Sequence, residues 1–328
     1  MKAAWFEQFG AAAETLTVSD KPQSTVLPGE VLVRIQSSGV NPSDVKKRAG
    51  SAPSLLDQGY VIPHSDGAGV IEAVGEDVDP GRVGERVWVY QAQHGRRFGT
   101  AAEYLTIEHT RAVELPANTR FAEGACLGIP AMTAHRCVFA DGPVEGQSIL
   151  ITGGAGRVGH YAIQWAAQSG ARVIATASNP EDAHSCLDAG AVAVVNHRDA
   201  DWAQQVLAGN EGERIHRVID VEFGANLPAV LDMIRVSGTI ATYSSMAVNE
   251  PKIPFYQMMF MDLTIRMVLV YIMPEKAKQH ACRDITNWLE AGRLEHRVAH
   301  ELPLDEIVKA HELIEQGGFR GCVVVNTQ

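Results

Sequence analysis

The sequence predicts an α/β protein of two domains, a mostly antiparallel β domain and a doubly wound parallel sheet, and three observations carry that prediction. At 328 residues the chain exceeds a comfortable single core. Residues 1 to about 120 hold short β-type runs (Val31 to Ile35, Gly69 to Val74, Arg86 to Val89, Glu103 to Thr106) broken by Gly and Pro, as in "LPGE" and "DPGRVGERV". From Ile149 apolar strands alternate with helices of about ten residues, the pattern of βαβ units. The change of texture puts a boundary between 115 and 145.

Within the second half, Ser148 to Thr152 reads as a buried strand, and the helix after it presents Val158, Ala162, Trp165 and Ala166 on one face and ends at Gly170. Asn179 caps a further helix with Pro180 at its first position, Glu181 and Asp182 in its first turn and Gly190 just past its end. Strands follow at Val192 to Asn196, Arg217 to Val221 and Thr239 to Tyr243, then a helix from about Pro274 to Gly292 and a last strand in "GCVVVN". The apolar stretch "MMFMDLTIRMVLVYIM" (258 to 273) is interrupted by Asp262 and Arg266 and is too short to span a membrane, so it reads as a buried strand. Its methionines, Met258, Met259, Met261, Met267 and Met273, are expected in the core or at a subunit interface.

Composition narrows the function. A formal charge of -11, from 28 Lys+Arg against 39 Asp+Glu, disfavours extended contact with a phosphate backbone, so no nucleic-acid partner is expected. The start "MKAAWFEQFG" carries Glu7 early and no apolar run, so neither signal peptide nor membrane segment is expected. Five cysteines without a C-x-x-C pair suit reduced thiols and a cytoplasmic setting.

The candidate chemistry begins at Gly154-Ala155-Gly156-Arg157-Val158-Gly159, a G-x-G-x-x-G run between strand and helix. Two glycines permit the tight turn and the backbone's approach to a pyrophosphate, Gly159 lets helix pack on strand, and the helix N-terminus faces the phosphates. An NAD site places a carboxylate at the end of the second strand to hold the ribose hydroxyls. This chain has Ala177-Ser178-Asn179 there. A carboxylate would repel a 2'-phosphate whereas hydroxyl and amide groups can donate to it, so NADPH is favoured over NADH. Arg157, His197 and Arg198 are candidate cations for that phosphate, opposed by Glu181 and Asp182.

With these residues in view, the chain resembles the zinc-independent quinone oxidoreductases, zeta-crystallin-like, of the medium-chain dehydrogenase/reductase superfamily. The likeness rests on "GVNPSDVKKRAG" (39 to 50), "PHSDGAGVIEAVG" (63 to 75), "VGERVWVY" (83 to 90), "ACLGIPAMTAH" (125 to 135), the glycine loop, "VVNHRD" (194 to 199) and the closing strand. It implies a GroES-like β domain (1–120 with 296–328), an inserted Rossmann domain (121–295), a cleft between them and a homodimer. It also implies that Asn41 and Thr133 touch the nicotinamide ribose and carboxamide, and that the loop after Thr242, including Ser244, gives a further backbone contact.

Zinc-dependent relatives hold a catalytic metal at positions matching Asn41, Ser65 and Ile129, none a ligand in that role. The lobe that carries structural zinc is replaced by "QAQHGRRFGT" (91 to 100), so no metal is expected. Without a Lewis acid, hydride goes to an acceptor already electrophilic, a quinone or an activated alkene. A cleft tyrosine of the family corresponds to Lys46, a candidate donor to the acceptor's carbonyl or an attractor of anionic substrates. A lysine that contacts the 2'-phosphate in relatives corresponds to Asp182. Two alternatives stay open: an enoyl-thioester or acrylate-type reductase using Lys46, His94, Arg96 and Arg97 as anion contacts, and a non-catalytic NADPH-binding sensor.

Overall fold

Period-two alternation of apolar residues and glycine-rich turns build antiparallel strands through the first third of the chain. The computed structural model describes residues 1–328 and divides into two units, Met1–Ile129 with Cys282–Gln328, and Pro130–Ala281. In the first unit, β1 (Lys2–Trp5) pairs antiparallel with β2 (Thr17–Asp20), with the short helix α1 (Ala12–Thr15) between them. The spine is β3 (Glu30–Val40), paired antiparallel with β4 (Asp66–Val74) and, through its first half, with β6 (Tyr104–Glu108). β4 pairs with β5 (Arg86–Val89), and β5 with β7 (Ala112–Glu114). Val31, Val33, Ile35, Ile71, Val87 and Leu105 point inward from alternate positions and form one core. Helix α2 (Pro42–Lys46) leaves the end of β3, and α3 (Phe121–Gly124) follows β7.

The second unit opens with α4 (Met132–Phe139) and then alternates as expected: β8 (Ser148–Ile151), α5 (Arg157–Gln168), β9 (Arg172–Thr176), α6 (Pro180–Asp188), β10 (Ala193–Val195), α7 (Trp202–Gly209), β11 (Ile215–Asp220), α8 (Phe223–Met233), β12 (Ile234–Thr242), α9 (Phe255–Phe260) and β13 (Thr264–Met267). All six strands are parallel, in the order β10-β9-β8-β11-β12-β13. Renumbered within the unit this is 3-2-1-4-5-6, whose strand order reverses between β8 and β11. Ligands of such sheets bind beyond the C-terminal strand ends at that reversal.

The run 258 to 273 departs from its reading as a buried strand. It forms the end of α9, the four-residue β13 at the free edge of the sheet and a short 3-10 turn, Val270–Ile272. Phe260 is 77% and Met267 72% exposed, while Met258 and Met273 are buried. Periodicity cannot separate a strand buried in its own fold from an apolar edge strand.

Helix α10 (Glu275–Glu290) carries the chain back to the first unit, which β14 (Val298–Pro303), α11 (Ile307–Gln316) and β15 (Cys322–Asn326) complete. β15 is antiparallel to β3 and parallel to β14. The first unit thus runs past residue 120 and resumes before 296. Its extra residues are held by packing: Gly124 of α3 lies against Ala68 and Leu115, and Asn118 donates from Nδ2 to the Leu289 carbonyl at 2.8 Å. No helix is long and apolar enough to cross a membrane.

Candidate active site

The glycine loop sits between β8 and α5, at the C-terminal end of the strand where the order reverses. It is tied to its neighbours by backbone and hydroxyl groups. Gly153 N donates to Thr176 Oγ1 (3.0 Å), Gly154 N to the Thr176 carbonyl (2.9 Å) and Thr152 Oγ1 to the buried Asp220 Oδ1 at the end of β11 (2.6 Å). The Thr152 hydroxyl also accepts from Val221 N at 2.9 Å, so the two strands flanking the reversal are latched together. A Cβ on Gly159 would lie 2.3 Å from the Gly153 carbonyl oxygen, so only glycine lets α5 sit against the loop. Gly156 is the N-cap of α5 and no side chain caps that terminus. The positive end of the helix dipole there suits an anion.

The other candidates of this unit follow strand ends. Ser178 and Asn179 come after β9, His197 after β10 and Ser244 after β12, and because the strands are parallel these positions share one edge of the sheet with the loop. Thr133 is buried in the first turn of α4, and Arg157 opens α5 half-buried. Asn179 caps α6 as expected: its Oδ1 accepts from Asp182 N (2.8 Å) and its Nδ2 donates to Asp182 Oδ2 (2.7 Å). Both amide atoms, and the carboxylate of Asp182, are thereby engaged in the cap.

In the first unit the three positions that match a metal site converge on groups the sequence reading missed. Asp66 Oδ2 accepts from Asn41 Nδ2 (2.9 Å) and from Ile129 N (2.8 Å). Asp66 is fully buried, and a Cβ on Gly128 would stand 2.1 Å from its Oδ1. Lys46 is exposed at the end of α2, whereas Lys47 is turned inward and donates to the Gln93 carbonyl (2.9 Å), Gln93 Oε1 (3.2 Å) and Ser65 Oγ (3.4 Å). Asp44, buried one helical turn before Lys47, accepts from Asn41 N at 2.9 Å. The i, i+3 spacing of Asp44 and Lys47 was the available signal.

Burial pushes Asp66 up to about 8, against the pull of its hydrogen bonds and of Lys47, and lifts Asp44 to about 6. Burial also lowers Lys47, which the two carboxylates partly restore.

A second chain of polar groups runs behind Asp66, and its proton positions follow from one bond. Thr100 Oγ1 donates to the Asp66 carbonyl (2.6 Å), so it accepts from Ser38 Oγ (2.7 Å). Ser38 then accepts from His64 Nδ1–H (2.8 Å), which leaves His64 Nε2 bare to accept from His311 Nε2–H (3.0 Å). The two rings stack with centroids 5.2 Å apart, and His311 Nδ1 has no hydrogen-bond partner. Both imidazoles are neutral: burial drives His64 well below its ordinary value, with the facing His311 next, and drives His311 down to about 3, with Arg48 next.

The linkage has opposite sign for the two kinds of group. His311 binds its proton near about pH 6.5 in the unfolded chain and near 3 in the folded one, so stability falls as pH drops through that window. Asp44 and Asp66 hold theirs longer when folded, so their contribution is present at low pH and lost as pH rises toward 6 and 8. Because these partly cancel, the informative quantity is the difference between the parent and His311→Asn. From about pH 6.5 to about 4.5 the parent's advantage is expected to shrink by roughly 2–3 kcal/mol in urea denaturation. A gap that does not change with pH contradicts a buried neutral pair.

Residues 158–287 match the family described as zinc-binding dehydrogenase, and residues 27–117 that described as alcohol dehydrogenase GroES-like domain. A quinone oxidoreductase of Homo sapiens is 30% identical over 322 residues, 97% of this chain and 94% of that protein. A zinc-type alcohol dehydrogenase-like protein of Schizosaccharomyces pombe is 29% identical over 310 residues, 87% of each. Among solved structures, an NAD-dependent alcohol dehydrogenase superposes with a TM-score of 0.89 at 28% identity, and a mycobacterial protein complexed with NADPH with 0.86 at 26%, each covering 100% of both chains. The parallel sheet with its uncapped glycine-rich helix start, the antiparallel unit and this end-to-end similarity agree: the chain is a reductase of the medium-chain dehydrogenase/reductase superfamily and belongs to its quinone oxidoreductase, zeta-crystallin-like family.

Proposed function

We propose that the protein is an NADPH-dependent reductase that delivers hydride, without a catalytic metal, to quinones and other activated carbonyl or alkene acceptors. The observation that carries this reading is the donor set at the three metal-matching positions. Asn41 donates its amide N–H to Asp66, Ile129 offers an aliphatic side chain, and Ser65 lies beside the Lys47 ammonium. Such a set does not fit a catalytic zinc, which takes Cys, His or carboxylate ligands and would be repelled by the ammonium. An acceptor that is electrophilic by itself needs no such metal.

When bound, the nicotinamide dinucleotide supplies the hydride. The uncapped start of α5, from Gly154 through Gly159, suits the pyrophosphate. Asp66 fixes the amide of Asn41, and Asn41, Thr133 and the Ser244 backbone are the proposed contacts of the nicotinamide end. At the adenosine end no carboxylate closes β9. With Asp182 engaged in the cap, Ser178, Arg157, His197 and the second N–H of Asn179 Nδ2 are the proposed partners of a 2'-phosphate. The thioester alternative is less well supported, since Arg96 donates to the Thr106 carbonyl and Arg97 to those of Gln58 and Tyr60. Two of its four anion contacts therefore serve as backbone pins.

We also propose a homodimer built on the free edge at β13, where Phe255, Tyr256, Phe260, Met267 and Ile272 are all exposed. Five buried cysteines without a disulfide suit a reducing, cytoplasmic compartment.

The test is nicotinamide oxidation by purified protein with an ortho-quinone, a para-quinone, an alkenal and an acryloyl thioester, using NADPH and NADH in parallel. Turnover of quinone or alkenal with NADPH preferred is expected. Silence with every acceptor despite measurable NADPH binding would favour the sensor, and turnover of the thioester alone would favour the alternative reductase.

A further inference from the structure

We propose that Lys47 supplies the positive charge that meets the acceptor's oxygen, standing in for the cation of the zinc-dependent relatives; this rests on the reduction proposed above.

The placement comes from the backbone. Helix α2 ends at Lys46, and the next residues, Lys47–Ser51, wind as a π turn, a widening common at functional sites. Successive helical residues point about 100° apart, so one of two adjacent lysines faces inward. It is Lys47, on the same side as the buried Asp44 and Arg48. Its Nζ reaches Ser65, one of the three metal-matching positions, while the other two converge on Asp66 Oδ2. Asp44 and then Asp66 partly offset the cost of burying the ammonium.

Its partners include neutral oxygens of the buried residues Ser65 and Gln93, at 2.9 to 3.4 Å. A developing oxyanion would bind more strongly than either, because two opposite unit charges attract each other where a neutral oxygen offers only a dipole. Lys47 is itself only half-buried. In the step proposed, hydride leaves the reduced cofactor and adds to the acceptor. An electron pair of the acceptor moves on to its oxygen, an N–H of Lys47 hydrogen-bonds that oxyanion, and water supplies the proton that completes the hydroquinone or saturated carbonyl. Lys47 keeps its own proton and the cofactor ends oxidised.

The probe is 4-nitrophenolate, a mimic of the hydroquinone anion, titrated by absorbance into the NADP⁺-loaded protein. In the parent the bound probe is expected to ionise at lower pH than free probe. Lys47→Met and Lys47→Gln should weaken binding at least about 10-fold and lower kcat with quinone about 100-fold, with NADPH affinity within about threefold. Lys46→Met should have a several-fold smaller effect, and Lys309→Met, at an exposed lysine paired with Glu306, none. Parent turnover with unchanged probe binding in either folded Lys47 variant overturns the role of Lys47 alone. If both variants fail to fold, the parent decides: a bound probe that ionises at or above its free value overturns the proposal. A parent that binds and ionises the probe yet reduces nothing overturns the reductase reading instead.

Discussion

Replacing Asp66 by alanine is expected to cost roughly 2–5 kcal/mol of stability, since it strands two buried donors at about 1–3 kcal/mol each. Asn41 Nδ2 and Ile129 N both end on Asp66 Oδ2, which is fully buried. The loss also leaves Lys47 with Asp44 as its remaining carboxylate neighbour. Asp66→Asn should be milder, because its amide oxygen can accept both bonds. In Asp66→Asn the KM for NADPH is expected to rise if the amide turns, because Asn41 then loses its fixed orientation. Denaturation followed by circular dichroism checks the ordering, parent above Asp66→Asn above Asp66→Ala. An alanine variant as stable as the parent would remove Asp66 from its place as the hub.

The second large effect is at Gly159. The added methyl of Gly159→Ala has its Cβ 2.3 Å from the Gly153 carbonyl oxygen and 2.9 Å from Gly154 Cα, both backbone atoms. Neither can swing aside as a side chain would. The start of α5 must lift from the loop, with an overpacking cost of about 1–3 kcal/mol. Because a displacement near 1 Å can cost about 100-fold where groups must be aligned, NADPH affinity is expected to fall by roughly 10–100-fold. Titration of nicotinamide fluorescence measures it directly. A folded Gly159→Ala that binds NADPH like the parent would mean that the pyrophosphate does not use this loop.

Local signals made much of the fold legible. The strand, glycine turn and helix from Ser148 to Gln168 depend on residues near one another, as does α6, where Asn179, Pro180 and Gly190 mark both ends. What escaped depends on distant partners. β1 and β2 join residues 2–5 to 17–20, and β14 exists through its pairing with β15, so neither was evident from its own short segment. The run 258 to 273 looked buried because its composition is that of a core strand, yet β13 lies at an edge, with Ile265 packed on the core and Met267 outside. Helical registry explains why Lys47 and not Lys46 is turned inward. Asn179 illustrates a different limit: a residue suited both to cap a helix and to donate to phosphate gives its Oδ1 and one N–H to the cap. Asp66 lies mid-sequence between Asn41 and Ile129, and only the folded sheet brings the three together.

The most direct test of the central claim is reduction of an ortho-quinone by NADPH after exhaustive dialysis against a strong chelator, with bound metal counted by elemental analysis. Turnover that persists undiminished in metal-free protein is the expected result. Loss of turnover on chelation, restored by zinc alone, would contradict it.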